Sequence, residues 1–156
     1  GHLLLSTLHT NDAATTLPRL IDMGVEPFLI ASTVNIAIGQ RLVRTICPNC
    51  KTKRAPTPEE IKLFAANLPE IPSPQKIYYG KGCKECGESG YQGRIPIHEV
   101  IEVTDNIRTA ITARASAAEI KKIAIEEGMT TILQDGFKKI AEGITTIEEV
   151  LRVAHE

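Results

Sequence analysis

The chain has 156 residues, a formal net charge of −1, 42% hydrophobic and 4% aromatic residues, and no tryptophan. That length suits one domain, or one domain with a small lobe. Balanced charge gives no global attraction to nucleic acid or membrane, and so few aromatics weigh against stacking platforms for bases. No apolar run approaches the roughly 18 residues of a membrane-spanning helix. The opening Gly1-His2-Leu3-Leu4-Leu5 lacks the basic start of a signal peptide, and without an initial Met it is expected of a piece of a longer chain.

Residues 3–8, Leu-Leu-Leu-Ser-Thr-Leu, are apolar without alternation, the pattern of a strand buried on both faces of a parallel sheet. His9-Thr10-Asn11-Asp12 then reads as a polar turn, with Asp12 or Thr10 capping a helix over 13–23 that ends at Gly24. Pro18 should kink or delay that helix. A second helix opens with Pro27 and runs as far as 38, stopping at Gly39. Its β-branched second half, Thr33, Val34, Ile36 and Ile38, also tolerates strand. Residues 40–46 read as a short strand.

The cysteines come next: Cys47-Pro-Asn-Cys50 and Cys83-Lys-Glu-Cys86, with no other cysteine in the chain. Each pair presents two thiolates from a tight turn, and two such turns complete a tetrahedral S4 shell. Zinc suits that shell; iron is the chemical rival. A redox dithiol would be expected to start a helix in a thioredoxin-like unit. Four ligands leave no open position, so the site reads as structural, and metal spacing fits a reducing compartment better than a disulfide framework. The metal lobe is expected over 47–93. It holds a helix over 58–66 begun by Thr57, a Pro-rich loop with Pro69, Pro72 and Pro74, and a strand over 76–79. Gly80, Gly82, Gly87, Gly90 and Gly93 surround the second pair.

Residues 94–103 alternate as a strand leaving the lobe. Beyond 105 the chain reads as helical: Ser116-Ala117-Ala118-Glu119 is a capping box for a helix ending at Gly128, another spans 131–141, and a last one starts at Thr146. Ile120, Ile123 and Ala124 give the first an apolar face, and Val150, Leu151 and Val153 are expected to point inward from the last.

Two groups of residues invite a functional reading beside a bland one. Arg41, Arg44, Lys51, Lys53 and Arg54 make a basic stretch around the first cysteine pair, either a phosphate-contacting face or a solvated knuckle. Without interleaved aromatics the second reading is preferred. His2 and His9 flank the expected strand, and the C-terminal end of such a strand is where α/β proteins place ligand-binding groups. An imidazole at position 9 could polarise a phosphate and its attacking water, although such a histidine is more often a cap or core residue. His98 and His155 read as structural or solvated. There is no GxxxxGK[ST] loop and no acidic run after an apolar strand, so nothing in these residues could bind and hydrolyse a nucleotide unaided.

Taken in order, five strings resemble the C-terminal part of the hexameric ATPases of bacterial type II secretion and type IV pilus assembly. Residues 1–13, Gly-His-Leu-Leu-Leu-Ser-Thr-Leu-His-Thr-Asn-Asp-Ala, look like that family's His box. Residues 19–27, Arg-Leu-Ile-Asp-Met-Gly-Val-Glu-Pro, look like its next block. Gln40-Arg41-Leu42-Val43-Arg44 leads into the first CxxC, and Cys86-Gly87-Glu88-Ser89-Gly90-Tyr91-Gln92-Gly93-Arg94 is similar to the signature around the second. The tail from Glu127-Gly128-Met129-Thr130-Thr131 to Val150 is also characteristic. Ser89 replaces the usual Thr, Pro96 stands where Gly is common, and Pro18 falls in a helix that is usually free of proline.

The resemblance implies an α/β fold: the C-terminal portion of a RecA-like ATPase core over 1–46 including the His box, an inserted tetracysteine zinc lobe over 47–93, and a strand plus C-terminal helical region over 94–156. It implies Cys47, Cys50, Cys83 and Cys86 as zinc ligands. It matches His2 and His9 to the two His-box histidines as catalytic-site residues, with His9 near the γ-phosphate of ATP, reporting it to the neighbouring subunit. The parent chain would use ATP and magnesium as a cytoplasmic homo-hexamer docked on an inner-membrane platform protein, driving pilin or pseudopilin assembly or type II export, with no direct nucleic-acid binding. The tetracysteine lobe favours the assembly or export branch. This piece alone, without Walker A and Walker B, would be inactive. The alternative is a free-standing zinc-lobed module that binds nucleic acid or a protein partner through its basic knuckle.

Overall fold

A computed structural model describes residues 2–154. His155 lies outside the described residues. Seven helices and four strands follow one another among the described residues: α1 (Ala13–Asp22), α2 (Pro27–Thr33), β1 (Ile36–Ile46), β2 (Lys51–Arg54), α3 (Pro58–Asn67), β3 (Ile77–Gly80), β4 (Tyr91–Glu102), α4 (Asp105–Thr112), α5 (Ala117–Glu126), α6 (Ile132–Ala141) and α7 (Ile147–Ala154). The chain is thus α/β, as expected. No helix is long and apolar enough to cross a membrane among the described residues.

The helices begin where side chains satisfy their free N–H groups. Asp12 caps α1 through Thr15, Thr104 caps α4, and Thr57, Ser116 and Thr131 build capping boxes with Glu60, Glu119 and Gln134. Pro18 does not delay α1, which starts at Ala13 and continues past it to Asp22. The second helix is shorter than expected. It stops at Thr33, Val34 is already extended, and Ile36 to Ile38 belong to β1. The β-branched run favours strand, and a partner is at hand. β1 pairs with β4. The Val103 N–H donates to the Asn35 carbonyl, and the Thr45 hydroxyl bonds the Gln92 carbonyl, so the two strands run antiparallel. The expected buried strand over 3–8 is not formed. Those residues have no regular structure, and Leu3, Leu4 and Leu5 are more than four-fifths exposed. A buried strand needs ladder partners on its edges, and the described strands pair only as β1–β4 and β2–β3.

The chain forms two compact units, each discontinuous in sequence. One comprises 1–39 and 99–130. Its core joins Ala13, Ala14 and Leu17 of α1 to Ile30, Ile101, Ile107, Ile111, Ile120 and Ala124. The other comprises 40–98 and 131–156, with a core of Val43, Phe64, Leu68, Ile77, Ile97, Phe137, Ile140, Val150 and Val153. There Phe64 and Phe137 meet edge to face at 5.0 Å. Val150 and Val153 are buried as expected, while Leu151 is half-buried. The segment Lys51–Arg54, part of the basic stretch, is a strand, paired antiparallel to β3 with Lys51 opposite Gly80 and Arg54 opposite Ile77.

Candidate functional site

The first cysteine pair follows β1 directly, and the turn from Cys47 to Cys50 delivers the chain into β2. The second pair brackets a single 3-10 turn, Lys84–Cys86, closed by Gly87 in a left-handed conformation. The two loops come together because two glycine backbones cross. A Cβ on Gly80 would lie 2.0 Å from the Gly90 carbonyl oxygen, and Gly90 itself has φ +78. Backbone bonds then stitch the loops: the Cys47 N–H donates to Gly90 at 3.0 Å and the Lys81 N–H to Cys50 at 3.2 Å.

The four sulfurs all lie within 4.8 Å of one another, with Cys47 buried and the other three half-buried. Cys47 is 3.9 Å from Cys83, Cys50 is 3.9 Å from Cys86, and Cys83 is 3.7 Å from Cys86. A tetrahedron with arms of about 2.3 Å, the zinc–sulfur length, has edges of about 3.8 Å. The cluster could therefore hold a metal ion without rearrangement of the measured edges. At Cys86 the electrostatics suit thiolate. The backbone N–H groups of Cys83 and Gly90 both donate to Cys86 Sγ at 3.3 Å. Against the desolvation that raises it, those bonds bring the Cys86 thiol down to about 6. Desolvation and the neighbouring sulfurs push Cys50 up to about 11, against the Gly82 N–H that lowers it. A cation in the middle would displace the remaining protons.

The basic stretch is largely engaged within the molecule. Arg44 lies 4.2 Å over the Tyr91 ring, and its guanidinium and its backbone N–H bond Glu149 at 2.7 and 2.9 Å. Arg54 forms a two-pronged pair with Glu60 at 2.6 and 2.7 Å. Lys51 sits 4.5 Å over Tyr78. Glu149 is 2% exposed and also receives Arg152. Desolvation would raise its carboxyl, but the bonds from Arg152 and Arg44 bring it down to about 2. Thr145 donates to the Arg44 carbonyl, and Tyr91 shares a hydrogen bond with Thr146, so the segment before α7 is fastened beside the first cysteine. His98 donates its backbone N–H to Asp135 at 2.8 Å.

His2 and His9 are both exposed, in the segment that precedes α1. The start of α1 is gripped from several elements. Glu99, at 2% exposure, accepts the Ala13 N–H at 2.8 Å from β4. Lys121 of α5 reaches Asp12 at 2.9 Å and Glu99 at 3.8 Å. Burial would raise Asp12, but the Thr15 hydroxyl and Lys121 hold it below the usual carboxylate range. Burial likewise disfavours the charge on Lys121, and the two carboxylates more than offset it.

The whole arrangement has relatives. A model of the type II/IV secretion system protein family matches residues 1–152. The chain belongs to that family. Among its members, a type IV pilus assembly ATPase PilB of Thermus thermophilus is 49% identical over 151 residues, covering 97% of this chain and 17% of its own length. A type IV pilus assembly ATPase PilB of Myxococcus xanthus is 44% identical over 156 residues, 97% of this chain and 27% of its own. A type II secretion system ATPase E of Vibrio cholerae is 43% identical over 156 residues, all of this chain and 30% of its own. The chain thus spans less than a third of the length of these family members.

Two residues of this secretion-family chain escaped the motif reading: Glu99 and Glu149. Both carry a signal in hindsight. Glu99 shares the inward parity of Ile97 and Ile101 in a strand where alternate residues are buried. Glu149 precedes Val150 on the face of α7 that also buries Val153. An acid at an inward position must find partners, and both do.

Proposed function

We propose that this segment is the C-terminal part of a motor ATPase in a type II secretion or type IV pilus assembly machine. The longer protein would couple ATP hydrolysis to assembly of pilins or pseudopilins, or to export. The observation that carries the reading is similarity over the whole chain to proteins named as assembly and secretion ATPases, at 43–49% identity.

In this reading residues 1–46 belong to the ATPase core, 47–93 form the metal lobe, and 94–156 supply a strand and helices. Cys47, Cys50, Cys83 and Cys86 hold a structural zinc ion. Sulfur spacings near a tetrahedral edge and two N–H bonds to Cys86 favour that ligand set. The zinc would supply cross-linking between the two loops, with no chemistry on substrate. His2 and His9 are the His-box residues, and His9 lies near the terminal phosphate of the nucleotide, where an imidazole polarises or reports that phosphate. Walker A, Walker B and the magnesium site lie elsewhere in the longer chain, so this segment alone does not turn over ATP. The parent works as a cytoplasmic homo-hexamer docked on an inner-membrane platform protein, without contacting nucleic acid.

The test is ATP turnover by the full-length protein with His9→Ala, beside metal analysis of the same preparation. Loss of turnover with about one zinc per chain is expected. Wild-type turnover in His9→Ala refutes the phosphate role. Iron, or no metal, refutes the zinc assignment. Salt-sensitive binding to nucleic acid would favour a binding module instead.

A further inference from the structure

The residue proposed to meet the nucleotide, His9, is exposed, yet the backbone just after it is among the most heavily anchored places in its unit. Thr10 and Thr16 share a hydroxyl hydrogen bond at 3.0 Å, tying the turn back onto the first turn of α1. Asp12 caps that turn through the Thr15 N–H and hydroxyl at 2.8 and 2.5 Å. The other Asp12 oxygen takes Lys121 from α5, and Ala13, the first helical residue, donates to Glu99 from β4. From β1, Gly39 leaves the space for this contact: a Cβ there would lie 2.8 Å from the Ala13 nitrogen and 3.0 Å from Glu99 Cγ. Three elements thus converge on the start of α1 within a single compact unit.

A plain N-cap does not need this. Asp12 alone satisfies the cap, as Ser116 does for α5 with Glu119, three residues on, as its partner. Burying Glu99 and half-burying Lys121 costs desolvation that an apolar pair would not. Such an arrangement fixes direction and depth, because hydrogen bonds and charge pairs tolerate less displacement than apolar contact.

We propose that Glu99 and Lys121 are positioning residues for the turn that carries His9, holding the first turn of α1 so that His9 has one place from which to meet the nucleotide. This rests on the motor-ATPase reading above. Neither side chain touches nucleotide in the proposal. Each acts through the backbone of residues 10–13. The consequence is kinetic: misplacing a group that acts on the reacting phosphate lowers kcat more than it changes KM.

The test is a double-mutant cycle in the full-length protein, with kcat and KM for ATP measured beside thermal midpoints and ring assembly. Lys121→Met should lower kcat by about tenfold and leave KM within about twofold. In a His9→Ala background the same substitution should change kcat no further, because the group it places is already gone. A structural role alone would lower the thermal midpoint and multiply with His9→Ala. Unchanged kcat in folded Lys121→Met, or independent multiplication of the two losses, overturns the positioning role. If Lys121→Met does not fold, Glu99→Gln provides the same cycle, since the amide keeps an acceptor for Ala13 and removes the charge that Lys121 answers. Wild-type turnover in His9→Ala removes the His9 role and the positioning role together. An impaired His9→Ala beside an unaffected Glu99→Gln or Lys121→Met removes only the second.

Discussion

Glu99 and Glu149 are buried to the same 2%, one in each compact unit, and each accepts a backbone N–H from a distant segment. They differ in the cations that answer them. Glu149 has two guanidinium groups, from Arg44 and Arg152, at 2.7 to 3.1 Å. Lys121 lies 3.8 Å from Glu99 and bonds Asp12 more closely, at 2.9 Å. Equal burial therefore does not mean equal function. The first carboxylate is saturated and fastens α7 beside the cysteine loops. The second shares Lys121 with Asp12 and holds a helix start whose preceding turn carries His9.

Stripping the proposed zinc should separate the two regions most sharply. A structural zinc contributes on the order of 10 kcal/mol to the fold that holds it. Chelation in the full-length protein, followed by hydrogen exchange, should expose amides of the cysteine loops, β2 and β3, and the 143–146 segment bonded to Ile46. Amides of α1, α4 and α5 should stay protected. Equal loss in both units would break the contrast.

Next in size is Glu149→Ala, expected to cost about 3 kcal/mol by chemical denaturation, since it leaves the Arg44 N–H and two cations without their acceptor. The same carboxylate predicts a pH dependence. Its carboxyl is depressed from 4.5 to about 2 in the folded chain. Its contribution is therefore complete above about 4.5 and is lost as pH falls through about 2. The stability difference between wild type and Glu149→Gln, taken pH by pH, should shrink across that window. A constant difference would show that the charge of Glu149 is not what stabilises.

Glu99→Ala should cost less, about 1–2 kcal/mol, because Lys121 keeps Asp12 when the Ala13 bond and the longer Lys121 pair are lost. A cost equal to that of Glu149→Ala would erase the distinction drawn from the cations. The smallest effect is expected from Ser116→Ala, about 1 kcal/mol for the cap of α5, the helix that brings Lys121 into place. Thermal melts resolve it, and a loss of several kcal/mol would mean that α5 is held by its cap rather than by Ile120 and Ala124.

Much of the molecule was legible from local chemistry. Thr57, Ser116 and Thr131 begin helices because a side-chain oxygen meets an N–H three residues away. The cysteine pairs announced a shared site because CxxC turns present sulfurs on one side. In the basic stretch Arg44, Arg54 and Lys51 each have an acid or a ring nearby, where the sequence offered a phosphate-contacting face or a solvated knuckle. Two of the misreadings involve partners far along the chain. Residues 3–8 have the composition of a buried strand and stay exposed, because hydrophobicity does not supply a neighbouring ladder. Ile36 and Ile38 could be helix or strand, and β4, some 60 residues later, decided for strand.

From the sequence alone came the caps, the turns, the candidate metal ligands and the family, since each is written in neighbouring residues or in strings of fixed order. Only the tertiary structure decided which acids are buried, which cations answer them, and that the start of α1 is held by β1, β4 and α5. Those outcomes depend on loop closure and on charges that meet across 80 to 110 residues, where spacing along the chain carries no information about distance in space.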